Sequence, residues 1–536
     1  MAEPAKMHRR MTTRKSFGWW LRSFALLVAI ASVVVITVAI RRAEPILKAR
    51  VIETLAARFH GRVELSGFHV SVIQGFQVSG RDLKIFGAED PNRHVPGVQP
   101  LIAIGEFRFG TDLLSLLHTP MRIRRVYLRN LELNIPPREQ RQDAGFKRGK
   151  IKIYVDEFIS EQARLIINTL KAGKLPIEFD ISNLRMKDIG PGQPLQFDAM
   201  LTNPKPVGAI QATGQFGPWQ EDEPRSTVVR GNYSFSHADL STIKGIAGIL
   251  SSTGEFRGTL GGIVVVGTTD TPDFQITISG HPVPLSTQFQ AVVDGTSGDT
   301  YLEPVRAEIL HSSLLAEGSV LRVKNPDGHR IVLDVSVRPA RIEDLLKLGV
   351  RTLPPVMTAR AELNTTFDLS PGEAEISDRL RLLGGFHISD AHFTNEKVQS
   401  KVDALSMRSQ GKPKLATDGI PDNVISEMNG TFELRDGLLS FPGIHFEVPG
   451  TKVDMAGKYS LDGNQFDFHG KARMNAKLSH MVTGWKSLLL KPVDPFFSKQ
   501  GAGTEVPVKV TGTRSAPHFG LDFGHKDEAR ATRCVR

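Results

Sequence analysis

The stretch GTFELRDGLLSFPGIHFEV, Gly430 to Val448, alternates apolar and polar residues with almost no slips. At its centre Asp436-Gly437 matches a two-residue hairpin turn, because such a turn needs positive φ at both positions. Leu434 then stands opposite Leu439 and Phe432 opposite Phe441, all on one face, while Glu433 and Ser440 point the other way. Phe446 and Val448 follow, then Val453 and Met455 after Pro449-Gly450, then Phe466 and Phe468 after Asp462-Gly463. Each predicted strand has one apolar face. What covers that face decides both fold and function.

The same period of two runs through most of the chain. It appears in VEL (63–65), VYL (126–128), LELNI (131–135), FDI (179–181), LQF (195–197) and NYSFS (232–236). It returns in FQITIS (274–279), VLDVSV (332–337), ELNTTFDL (362–369) and GFHISDAHF (385–393), mostly between Gly, Pro, Asn or Asp breaks. This predicts an antiparallel, mainly β chain with few helices. On alternation alone, two sheets covering each other's apolar faces is the leading arrangement, and a single open trough is the other.

Echoes within the sequence favour a repetitive body. Gly267-Thr268-x-x-x-Pro272-x-Phe274 recurs as Gly512-Thr513-x-x-x-Pro517-x-Phe519, and Ala238-x-Leu240-Ser241 recurs as Ala476-x-Leu478-Ser479. The short inserts IKGIAGIL and MVTGWKSLLL read as helix-like, and DLLKLG after Ala340-Arg341-Ile342-Glu343 is a looser third copy. IRRVYLRNLELNI (123–135) echoes VDEFISEQARLII (155–167), the latter open to a helical reading. Two polar stretches, 136–150 and 218–227, read as mobile loops.

With 536 residues and 40% hydrophobic content there is ample material for folded structure. The single cysteine, Cys534, allows no intramolecular disulfide and no cysteine-based metal site. The net charge of +10 gathers in three places. One is the N-terminal tail before the uncharged run Ser23 to Ile40, which with Phe17 to Leu21 is long enough to cross a bilayer. Trp19 and Trp20 fit an interfacial belt, and basic residues before the span predict a cytoplasmic tail and an exported remainder. After it, Leu47, Val51, Leu55 and Phe59 mark an amphipathic helix ending at His60-Gly61. The second concentration is Arg122, Arg124, Arg125 and Arg129 with Arg138, Arg141, Lys147 and Arg148. It reads as a charged strand edge before a lipid-headgroup contact. The third is the mixed-sign C-terminal tail. Few Tyr and Trp interleave with basic residues, which argues against nucleic acid.

No catalytic constellation emerges. Ser241-x-x-Lys244 lacks the partner motifs of serine acyl-enzymes, and His387 and His392 are expected on opposite faces of a strand. The expectation is no enzyme, no metal and no cofactor.

The C-terminal third resembles the AsmA-like family of exported, inner-membrane-anchored proteins. The carrying residues are GGFHISDAHFTN, VDALSMRSQG, TFELRDGLLSFPGIHFEVPGTKVDMAGKYSL, TGWKSLLLKPVDPFFSKQGAGTEVPVKVTGT and PHFGLDF, from Gly384 to Phe523. The resemblance implies a transmembrane anchor followed by an elongated, curved antiparallel β-sheet, a groove whose apolar face shields phospholipid chains in the periplasm. The expected divisions are a cytoplasmic tail (1–16), signal anchor (17–40), amphipathic helix (41–60), N-terminal groove region (61–235), middle β region (236–383), AsmA-like region (384–523) and tail (524–536). Expected lining residues are Phe432, Leu434, Leu439, Phe441, Phe446, Val448, Val453, Met455, Phe466 and Phe468. The implied partners are phospholipid and the inner membrane. The alternative is a membrane-tethered scaffold that binds outer-membrane or other envelope proteins and carries no lipid. The segment Trp485 to Phe497 is a candidate for dipping into a membrane or for packing over the groove's end.

Overall fold

The computed structural model describes residues 44–522 apart from 58, 60, 72–75, 88–98, 112–120, 136–152, 168–176, 221–222, 278, 325–326, 352, 373, 415–423, 461–465, 482–502 and 514–515. The expected tail and anchor (1–40), the 136–150 loop, the Trp485 to Phe497 segment and the C-terminal tail lie outside the described residues. No described helix is long and apolar enough to cross a membrane. The chain forms two compact units, Met1–Ala199 and Met200–Arg536.

The first unit holds helix α1 (44–57) and strands β1 (Val63–Ser71), β2 (Phe76–Ile85), β3 (Ile102–Thr111), β4 (Met121–Ile135), β5 (Ile153–Ile167) and β6 (Ile177–Ile189). Each strand pairs with the next, and all pairs are antiparallel except β4 with β5, which is parallel. Ile123 faces Val155 and Ile135 faces Ile167, so the two echoing segments lie side by side in the register of the echo. The second of them is a strand, and the expected all-antiparallel sheet is corrected at this one pair. Helix α1 seats Ile52, Leu55, Ala56 and Phe59 on a core of Val63, Leu65, Leu83, Ile85, Phe107, Val126 and Leu128. Leu47, expected on the same stripe, is 39% exposed. Strict i+4 spacing overshoots the 3.6-residue turn, so such a stripe drifts around the helix and Ile52 joins the buried face. Glu44 ties the helix down by accepting the Val70 N–H at 2.9 Å and lying 2.6 Å from His69 Nδ1.

One row across this unit explains a phase slip in the alternation. Asp82, Asn130 and Gln162 have φ of 53°, 52° and 55°. Ser66, Asp82, Gly105, Asn130, Gln162 and Ser182 fall at the corresponding step of β1 to β6, between paired residues on either side. Apolar residues run 63, 65 and then 68, 70 in β1, and 126, 128 and then 131, 133 in β4. The left-handed residue reverses the side-chain phase, which keeps these apolar residues on the face that α1 covers. Asp and Asn tolerate that backbone region better than most residues, and they occupy two of the three positions.

β7 (Leu195–Pro204) crosses the boundary between the units. The second unit continues with β8 (Val207–Phe216), β9 (Val228–Asp239), β10 (Ile246–Ala247), β11 (Ile249–Thr259), β12 (Gly262–Ile276), β13 (Val283–Val293), β14 (Thr300–Ile309) and β15 (Ser312–Lys324). After β16 (Asp327–Arg341) come α2 (Ile342–Gly349), β17 (Met357–Leu369), α3 (Ile376–Arg379), β18 (Leu380–Phe393) and α4 (Glu396–Ser409). β19 (Ser426–Arg435), β20 (Leu438–Val448), β21 (Thr451–Ser460), β22 (Phe466–Met474), β23 (Thr504–Thr513) and β24 (Ala516–Leu521) complete it. From β11 to β24 every strand pairs antiparallel with the next, and β9 lies between β8 and β11. The described strands contain no second sheet packed face to face on this one, so the two-sheet arrangement expected from alternation is not found among the described residues.

Three expectations are revised here. IKGIAGIL is not a helix: Ile246 and Ala247 form β10, paired with the end of β12, because Gly245 and Gly248 at φ of 96° and 126° turn the chain twice. The Gly-Thr echo is not a structural repeat. Gly267 and Phe274 lie on one strand, whereas Gly512 and Phe519 lie on two strands of a hairpin. The described C-terminal part of the 218–227 segment is anchored, since Thr227 is fully buried and Arg225 pairs with Asp294 at 2.6 Å. The Ala-x-Leu-Ser echo does hold, each copy leaving a strand end through a 3-10 turn, Leu240–Thr242 and Leu478–Met481.

Candidate functional site: an apolar sheet face

The hairpin that opened the sequence reading forms as expected. Asp436 and Gly437 have φ of 52° and 72°, and Leu434 pairs with Leu439. One detail differs. Thr431 pairs with Gly443 and Glu433 with Ser440, so Phe432 stands opposite two residues, Phe441 and Pro442. Proline cannot donate to the ladder, and a bulge is the position that tolerates it. The extra residue shifts the apolar phase from Leu439 and Phe441 to Ile444, Phe446 and Val448.

Across β18 to β24 the apolar side chains align in rows. Ile388, Met428, Phe446, Val453, Ala472 and Val506 make one row, and Phe386, Gly430, Ile444, Met455, Gly470 and Val508 make the next. Phe386 meets Phe441 edge-on at 6.1 Å between ring centres and Phe432 at 6.4 Å, and Phe441 meets Phe468 at 5.8 Å. These spacings are those of favourable aromatic pairs. Large side chains sit opposite glycines: a Cβ at Gly457 would come within 2.5 Å of the Phe468 ring, and one at Gly430 within 3.1 Å of Phe386. Further along, Phe256 and Phe289 lie over Gly231 and Gly267 in the same way. A ring laid across bare backbone covers a ladder that no second layer shields.

Burial is uneven along the strands. The strand ends beside the helices are sealed: Ala238, Val283, Val337, Ser426, Val448 and Thr451 are each no more than 2% exposed. Helix α2 packs on β16 and β17, and α4 on β18 and β21. Buried polar groups fasten both. Asp344 accepts from His311 N and Ser312 Oγ at 2.9 and 2.8 Å, Asp403 accepts from Gln399 Nε2 and Val424 N at 2.8 and 3.0 Å, and Ser406 donates to Pro449 O at 2.8 Å. Away from that margin burial is mixed, and this is where most of the expected lining residues fall. Leu439, Phe441, Phe446, Met455 and Phe468 are partly buried; Phe432, Leu434, Val448 and Val453 are buried. Val453 belongs to a core on which Leu405 of α4 packs together with Phe446 and Met455, so protein covers Val453 and part of those two side chains. The Phe466 side chain is outside the described residues.

The polar face carries one notable titratable group. His469 Nδ1 lies 2.6 Å from Asp522 Oδ2 and its Nε2 lies 2.9 Å from Asp467 Oδ1. The hydrogen bond to Asp522 raises its pKa above the ordinary value; burial opposes this, and Asp467 adds to the rise. The clasp joins β22 to the residue that follows β24.

Ser241 caps a turn: its hydroxyl and its N–H, the latter at 2.9 Å, both bond to Asp239, and together they lower the Asp239 pKa. His387 and His392 lie on β18 either side of Asp390, a left-handed residue at φ 56°, and no metal-binding cluster occurs among the described residues. The described part of the second basic concentration, Arg122 to Arg129, is not on an edge, and Arg138 to Arg148 lie outside the described residues. β4 is flanked by β3 and β5, and Arg122 and Arg125 pair with Asp156 and Glu157 of β5, both at 2.7 Å. Comparison with protein-family models, curated proteins and solved structures finds no match.

Proposed function

We propose that this is an AsmA-like, membrane-anchored protein of the cell envelope, not an enzyme, that shields phospholipid acyl chains on the apolar face of its sheet. The observation that supports this most directly is the partly buried band of Leu439, Phe441, Phe446, Met455 and Phe468 on a sheet with no second sheet over it among the described residues. Each methylene moved out of water gains about 0.8 kcal/mol, so an apolar band of this kind lowers the barrier for a chain leaving a bilayer. The uncharged Ser23 to Ile40 run supplies the anchor in this reading, with the remainder exported and the inner membrane as its partner. The rings stacked over glycine keep the band smooth, which suits sliding hydrocarbon better than one shaped ligand.

The test is photo-crosslinking in cells with a benzophenone side chain at Phe441 or Phe468, against Lys458 on the opposite face. Phospholipid adducts at the two apolar positions and none at Lys458 are expected. Adducts to envelope proteins at Phe441, with no lipid at either apolar position, would replace this reading with the scaffold one.

A further inference from the structure

The polar face of the first unit contains a concavity of ≈ 1190 Å³. Its lining includes Arg81, Arg108, Arg124, Arg125 and Arg129, with Glu106 the one carboxylate among the lining residues. The cationic side chains come from three adjacent strands: Arg81 on β2 pairs in register with Glu106 on β3, which pairs with Arg129 on β4. Three carboxylates, Glu106, Glu157 and Glu161, lie in contact or in register with them. Arg125 is held by Glu157 at 2.7 Å, Arg108 lies 4.0 Å from Glu106, and Arg129 donates to a neutral partner, Gln162, at 3.4 Å. Tyr127 supplies a ring 5.8 Å below the Arg108 guanidinium, and its hydroxyl donates to Glu161 at 2.8 Å, which raises its pKa. Two glycines open the floor. A Cβ at Gly110 would meet nothing within 4 Å, and the three atoms nearest to one at Gly67 all belong to Arg81, at 3.4 Å or more.

Gly110, in register between Gln77 and Arg125, leaves open space beside these guanidinium groups. We infer that this concavity binds a phosphate-bearing anion, with the Arg81 and Arg129 guanidinium forks on its oxygens. Arginine presents donors in a planar fork that matches phosphate, and bonds to ionised groups are about twice as strong as neutral ones. The site lies on the face opposite α1 and on a different unit from the apolar band, so it stands or falls independently of the lipid-shielding reading. The shared chemistry is a phosphate ester, whether on a lipid headgroup or on a soluble metabolite.

The experiment uses the full chain in detergent or nanodiscs and measures glycerol 3-phosphate binding by calorimetry. Flotation with vesicles of phosphatidylglycerol is compared with vesicles of phosphatidylcholine. Two variants are compared: Arg81→Gln with Arg129→Gln, which removes charge, and Gly110→Val, which fills the gap and leaves charge untouched. Saturable binding of at least one phosphate probe, weakened tenfold or more by both variants, is expected. Loss confined to the vesicle arm assigns the source to a lipid headgroup, and loss confined to the soluble arm assigns it to a free phosphate ester. Absence of saturable binding in both arms, or binding that the charge variant weakens while Gly110→Val leaves it intact, overturns the inference, the latter because it describes unspecific surface attraction.

Discussion

Gly470→Ala is the substitution that most directly tests how this single layer is built. Gly470 lies on β22 opposite Met455 of β21, and its new Cβ would stand 2.1 Å from the Asp454 carbonyl oxygen and 2.8 Å from Met455 Cα. Both are backbone atoms of the neighbouring strand, so no side-chain rotation relieves them. Reaching even 3.0 Å requires the strands to part by about 0.9 Å there, enough to stretch the flanking ladder bonds. Overpacking costs about 1–3 kcal/mol, a weakened backbone bond about 1 kcal/mol, and alanine's smaller unfolded-state entropy returns about 0.4–1 kcal/mol. The net expectation is a loss of about 1–3.5 kcal/mol, centred on β21 and β22. Gly443→Ala is the matched control, since a Cβ there meets nothing within 4 Å, and it should be neutral or slightly stabilising. Hydrogen exchange read by mass spectrometry on peptides covering 451–474, with urea denaturation of the whole chain, measures both. Equal effects of the two substitutions, within about 0.5 kcal/mol, would show that glycine is not required for the close approach of these strands.

Two further outcomes follow from buried or clasped side chains. Because the His469 pKa is raised, its contribution is complete below about pH 6.5 and is lost as pH rises through the raised value. Amides at the end of β24 should therefore exchange faster at pH 8 than at pH 6 after correction for intrinsic rate, and His469→Gln should remove the difference; unchanged protection in the unmodified protein would refute the clasp. Asp344→Ala leaves the His311 N–H and Ser312 hydroxyl without their buried acceptor, and should cost about 2 kcal/mol in urea titration with the loss localised to α2 and the β14–β15 turn. A cost under about 0.5 kcal/mol would mean that water replaces the carboxylate there.

The strands and the hairpin were legible because alternation and Asp-Gly report local backbone chemistry. Pairing direction was not. The echo of 123–135 in 155–167 hinted at adjacency, yet period two is the same for parallel and antiparallel neighbours, so β4 beside β5 emerged only from the structure. The arginines of β4 were assigned to an edge for the same reason, since the acids that meet them lie on a strand whose position the sequence left open. Glycines were taken as turn punctuation, whereas Gly231, Gly267, Gly430, Gly457 and Gly470 lie within strands beneath larger side chains. The pairing that explains each is cross-strand, and no local window contains both partners. Val453 shows the same limit at the site: alternation fixed its face, but α4, which closes that end of the strands, precedes it in the chain by two intervening strands.

Within the second unit, from β13 onward, each strand bonds only to those immediately before and after it in the chain. Order of synthesis is therefore order of assembly: every newly emerged hairpin finds a finished template waiting, and no ribbon must hold its place for a distant mate. For a long β protein this keeps loop-closure entropy small at each step, and it leaves at most one growing border unsatisfied at a time.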